Sequence, residues 1–179
     1  VSGATLPWKV RDLALFRALA SPPGRFLAAP VVTAFFPNSL AADIIREIFA
    51  PNPVPPDYAV RTGAALAVRR ATLAADARQI AALPAETARL EDDVPALALP
   101  VEIVHGTEDR IVPPGPTAVR LSRLVPGANL VLLPDTGHMP HHVRPEAVIE
   151  AVDRAARRPG VGQADATATE AIATEDAQE

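Results

Sequence analysis

Pro100-Val101-Glu102-Ile103-Val104-His105-Gly106-Thr107-Glu108-Asp109 and, further on, Asn129-Leu130-Val131-Leu132-Leu133-Pro134-Asp135-Thr136-Gly137-His138 decide the fold. Each holds a short apolar run that stops at turn residues, so strands are predicted over 100–105 and 130–133. Between them Pro116 to Val125 has helical spacing of Val119, Leu121 and Leu124, and Pro126-Gly127-Ala128-Asn129 makes a turn. After them Pro145 opens a helix carrying Val148, Ile149, Val152 and Ala155. Strand, helix, strand, helix with strands apolar on both faces predicts an α/β fold with a parallel sheet. Two strands do not make a stable sheet alone, so further strands are expected upstream of Val1.

In an open parallel sheet the ligand site lies beyond the carboxyl ends of the strands. Asp109 follows the first strand and His138 the second, so a carboxylate and an imidazole are expected to face one crevice. A carboxylate bonded to one ring nitrogen fixes the tautomer and stabilises the imidazolium when the other nitrogen takes a proton. Glu108 stands beside Asp109 and is expected to be solvated. His105 reads as a structural residue at the strand end. Asp135, His138, His141 and His142 are close in sequence, but with no fourth soft ligand no metal site is expected.

Residues 6–93 are expected to be helical and punctuated by proline. Leu13, Phe16, Leu19 and Ala20 have helical spacing after Pro7, and Pro22-Pro23-Gly24 breaks the segment. Phe26 to Val32 reads as a second helix or an apolar loop. Leu40, Ile44, Ile45, Ile48 and Phe49 form an amphipathic helix after Pro37-Asn38-Ser39. A longer helix is expected from Asp57 to about Leu83, broken near Thr72 and ended by Pro84, with one more short helix over Glu86–Asp93. Asp92 and Asp93 read as a solvated turn. All seven aromatic residues fall within 8–58. Most read as helix packing, with Trp8, Phe35 and Phe36 as candidates for a substrate-binding wall.

Composition narrows the function classes. The 179 residues contain no cysteine, which excludes disulfides, thiolate metal sites and a cysteine nucleophile. The net charge of −4 gives no basic field for nucleic acid. Five of the acidic residues (Asp165, Glu170, Glu175, Asp176 and Glu179) lie in 159–179, which holds no Lys or Arg and is expected to be a disordered acidic tail. Sixteen arginines against the single Lys9 read as a base-composition bias of a bacterial-like genome. No apolar run is long enough to span a membrane. With no targeting segment visible, a cytoplasmic location is expected.

The H-G-x-x-D frame of residues 105–109 and the Gly137-His138 pair after the next strand resemble the C-terminal part of an α/β-hydrolase-fold protein. The resemblance covers residues 1–158 and is motif-specific over about 94–150. It implies that Asp109 is the acid and His138 the base of a nucleophile–His–acid apparatus. It also implies that 1–5 is the end of a core strand, 6–93 a helical cap, and 94–158 the C-terminal α/β core. The nucleophile elbow G-x-S-x-G is absent, since Ser2, Ser21, Ser39 and Ser122 all lie outside that frame. The chain is therefore expected to be a piece of a longer protein that lacks the N-terminal strands, the nucleophile and the oxyanion hole, and to be inactive by itself.

The implied function is hydrolysis of a small apolar ester or related acyl compound, with a small-molecule substrate and no cofactor. Alternatives are an upstream Asp nucleophile, as in epoxide hydrolases and dehalogenases, or a non-catalytic member that only binds ligand. A scaffold role carried by the acidic tail is a further alternative.

Overall fold

A computed structural model describes residues 1–35, 37–66 and 69–158. The acidic tail expected over 159–179 and Phe36 lie outside them. The helical region comprises α1 (Leu13–Ala20), a π-helical turn (Gly24–Ala28), α2 (Ala29–Ala34), α3 (Asn38–Phe49), α4 (Tyr58–Arg61) and α5 (Arg70–Glu91). Short 3-10 turns lie at Ala64–Leu66 and Val94–Ala96. The α/β region follows with β1 (Glu102–Gly106), a π-helical turn (Gly115–Val119), α6 (Arg120–Leu124), β2 (Asn129–Leu133), α7 (Pro140–Val143) and α8 (Pro145–Arg157).

β1 and β2 pair in parallel, with Glu102 opposite Asn129 and Gly106 opposite Leu133. The two-residue period of a strand sends Ile103 and His105 to one face and Glu102 and Val104 to the other. On the first face Ile103 joins Leu6, Val94, Ala118, Leu121 and Val125 in the buried apolar core. On the second, α8 packs against β1 and buries Ala151. There Glu102, nearly buried, accepts hydrogen bonds on one carboxylate oxygen from Asn129 Nδ2 (2.7 Å) and Arg154 Nε (3.1 Å). This network ties α8 across both strands at the end opposite the loops that carry Asp109 and His138.

Residues 1–5, expected as the end of a core strand, form no strand. Ser2 instead donates its N–H to Val104 O at 2.9 Å, beside the outer edge of β1. Two apolar hollows lie along this side, one of about 340 Å³ between Val101, Val104, Val148 and Val152, and one of about 160 Å³ near Ile103 and Leu121.

α5 differs from expectation. It runs unbroken through Pro84 to Glu91 and takes in all but the last two residues of the segment expected to form a separate helix. A proline removes one N–H and crowds the carbonyl four residues back, but does not by itself end a helix whose faces are packed. α5 lies along α1 and α2 with Ala74, Ala77 and Thr87 buried. The Thr87 hydroxyl donates to Leu83 O at 2.7 Å just past the proline. The interruption expected near Thr72 comes earlier, between α4 and α5, where the Ala64–Leu66 turn intervenes. Among the described residues no single helix is long and apolar enough to cross a membrane.

Candidate active site

The loops leaving β1 and β2 bring Asp109 and His138 together. His138 Nδ1 lies 2.8 Å from Asp109 Oδ2. Glycine at 106 makes this approach possible: a Cβ there would stand 2.1 Å from Thr136 O and 2.3 Å from Gly137 O, far inside van der Waals contact. The two loops are stitched by Thr107 N–H to Leu133 O and Glu108 N–H to Thr136 O, each 3.0 Å.

The Asp109 carboxylate is buried and all four of its acceptor positions are used. Oδ1 accepts the backbone N–H groups of Ile111 and Val112, both at 2.9 Å. Oδ2 accepts His138 Nδ1 and, at 3.1 Å, His105 Nε2. The His105 nitrogen is also 2.8 Å from Val112 O, and a carbonyl can only accept, so Nε2 carries the hydrogen and shares it between the two oxygens. Burial pushes the Asp109 carboxyl up, but hydrogen bonds from His105, His138 and Val112 and the charge of His138 outweigh it. They hold the group well below the usual carboxylate range. Asp109 is thus a fixed anion at any ordinary pH.

His138 is half-buried. With its Nδ1–H donated to Asp109, its Nε2 is left as the basic nitrogen. Glu108 is exposed and makes no side-chain bond to His138 among those described; its backbone N–H does the work. Ser2 is buried at φ 41°, and its hydroxyl has no hydrogen-bond partner, so it is not bonded to His138.

Other residues singled out from the sequence take different places. Trp8 donates its indole N–H to Ile111 O at 3.2 Å, bracing the loop that presents Asp109. Phe35 is 81% exposed. Neither lines the two hollows beside β1, and neither hollow includes Asp109 or His138. His141 and His142 sit on α7, an element the sequence reading did not foresee, with His142 edge-on to Tyr58 at 5.3 Å. Among the described residues no group of three or more His, Cys, Asp or Glu is placed to hold a metal ion. Sequence reasoning also missed Asn52, whose side chain reaches the turn before His138. Only its position after Pro51 marked it, and a lone asparagine in a proline-rich connector carries no signal of a partner 83–85 residues away.

Solved structures of known proteins share the fold. An esterase from Exiguobacterium antarcticum is 14% identical, covers 86% of this chain and 53% of its own, and superposes with a TM-score of 0.60. A 2-hydroxy-6-oxo-6-phenylhexa-2,4-dienoate hydrolase from Rhodococcus sp. strain RHA1 is 18% identical, covering 86% and 51%, with a TM-score of 0.61. An esterase from Thermogutta terrifontis is 24% identical over 84% of this chain and 51% of its own, with a TM-score of 0.49. The chain thus spans about half the length of these structures. No curated protein matches it significantly. The sequence pattern described as "Alpha/beta hydrolase family" matches residues 2–151, taking in both strands and the loops bearing Asp109 and His138, and the chain belongs to that family.

Proposed function

We propose that Asp109 and His138 are the acid and base of a hydrolase that cleaves a small apolar ester or related acyl compound, with the nucleophile supplied from outside residues 1–179. The observation that carries this reading is the 2.8 Å contact between His138 Nδ1 and a fully bonded, ionised Asp109. His138 Nε2 takes the proton of the attacking hydroxyl as its oxygen bonds to the acyl carbon, then delivers that proton to the departing alcohol. Water repeats the sequence on the acyl intermediate and releases the acid. Asp109 stabilises the transient imidazolium without itself accepting the proton. Residues 6–93 serve as a cap over this centre. An esterase and a dienoate hydrolase that share the fold keep an acyl substrate the leading reading.

The test is hydrolysis of an activated short-chain ester by the full-length gene product. His138→Ala lowers kcat by several orders of magnitude, whereas His141→Ala and His142→Ala change it little. The 179-residue chain alone stays at background, because base and acid have no nucleophile to activate. Near-full turnover by the His138 variant overturns the reading.

A further inference from the structure

The turn that presents His138 is gripped from two sides, and only one of them is the sheet. On the sheet side, Thr107 and Glu108 donate to Leu133 O and Thr136 O. The other grip comes from Asn52, three residues past the end of α3. Its Nδ2 donates to Asp135 O at 2.8 Å, and its Oδ1 accepts the N–H of Gly137 at 3.0 Å. One side-chain amide thereby satisfies a backbone carbonyl and an N–H two residues apart, just before His138. Asp135 has a φ of 51°, a left-handed conformation that a non-glycine residue keeps only where its surroundings hold it.

Asn52 is itself fixed. Its N–H donates to Phe49 O at 2.8 Å. Phe49 is fully buried, with its ring 4.8 Å from Tyr58 and 5.7 Å from His142. Gly137 closes the joint from below, since a Cβ there would meet Ala50 O at 2.2 Å. The end of α3, the turn 135–137 and α7 therefore lock together around His138.

We propose that Asn52 is a positioning residue for His138, through which the placement of the helical region sets the orientation of the base. The inference rests on the hydrolase reading for its kinetic consequence, but not for its structural one. Asparagine suits the position because it offers a donor and an acceptor on a short stem. Aspartate keeps an acceptor for Gly137 N–H and has no hydrogen to give Asp135 O, and alanine has neither.

The experiment compares Asn52→Ala and Asn52→Asp with wild type in the full-length protein. Readouts are amide exchange at Gly137, the NMR signal of the His138 Nδ1 proton held by Asp109, and ester hydrolysis. In the alanine variant Gly137 exchanges about tenfold faster or more, as expected for loss of a hydrogen bond. The His138 proton signal broadens or disappears, while Ile103 and Val131, whose amides face the paired strand, stay protected. kcat falls about 10- to 100-fold at unchanged KM, the cost of a reacting group displaced by less than an ångström or so. The aspartate variant lies between.

Unchanged Gly137 exchange in the alanine variant overturns the proposal. So does faster exchange with an intact His138 signal and normal kcat, since the contact would then be structural only. If the alanine variant loses protection throughout the sheet, the aspartate variant decides alone, and a wild-type His138 signal in it is again fatal. Should His138→Ala leave turnover untouched, the hydrolase reading fails separately, while exchange and the proton signal still decide on Asn52.

Discussion

The two arms of the site are held by opposite means. The Asp109 carboxylate takes most of its bonds from its own neighbourhood, with His105, Ile111 and Val112 all within four residues of it. Its loop has one remote brace, the Trp8 indole on Ile111 O. His138 depends on distant chain: Asn52 lies 83–85 residues from the turn it grips, and Phe49 and Tyr58 back α7 from the helical region. A locally bonded loop keeps its shape wherever the sheet forms. A turn gripped by remote elements has the right shape only when those elements are docked. In the proposed hydrolase the Asp109 loop, the acid arm, is thus the more rigid reference of the site, and the His138 turn, the base arm, its adjustable part.

The largest effect that sharpens this contrast comes from the acid. Asp109→Asn leaves the fold in place but turns one acceptor oxygen into an NH₂ group facing two donors, His105 and His138. The His138 tautomer is then wrong, and kcat in the full-length protein drops by roughly 10⁴. Glu108→Gln, on an exposed side chain that contributes only its backbone N–H, is mild. Losses in the reverse order would move the acid by one residue and dissolve the contrast.

Next comes stability, and here the base arm bears the cost. Phe49→Ala removes a fully buried ring between Tyr58 and His142, at about 3–5 kcal/mol for an aromatic core truncation. Denaturant unfolding gives the total. Hydrogen exchange gives its location: α7 and the 135–137 turn lose protection ahead of the 106–112 loop. Equal loss in both arms would mean that the acid loop is no more autonomous than the base turn.

The same contrast explains what could be read from the sequence. The strands, their parallel pairing, and Asp109 and His138 are legible because each is written in a short window, as an apolar run, a turn signal and a polar residue at a strand end. The H-G-x-x-D frame even contains the support for its own aspartate, although His105 alone reads only as a structural residue. The Asn52 grip and the bond from Trp8 to Ile111, 103 residues apart, have no local signature, since nothing in a proline-rich connector or near the start of a helical stretch names its partner. Pro84 misled for a related reason. Local propensity stops the helix there, but packing of α5 on α1 and α2 carries it through, as tertiary contacts commonly override a local preference.

The smallest predicted effect is one of pH, and it too separates the arms. Asp109 titrates below its ordinary value of 3.8, so the stability it contributes is complete above that pH and is lost only as pH falls through the lower folded-state value. Between pH 5 and 8 Asp109 is therefore silent. His141 on α7 behaves differently: burial and then the charges of His142 and His138 lower its pKa from the ordinary 6.5. Below 6.5 the unfolded chain binds more protons at this residue than the folded one, so stability falls as the solution is acidified, until the folded-state value is passed. The side chain is exposed, which keeps the effect small. Melting temperatures from pH 7.5 to 5 should decline less steeply in His141→Gln than in the wild type, with amide exchange in α7 showing the acid sensitivity first. Parallel slopes in the two proteins would remove His141 from the account.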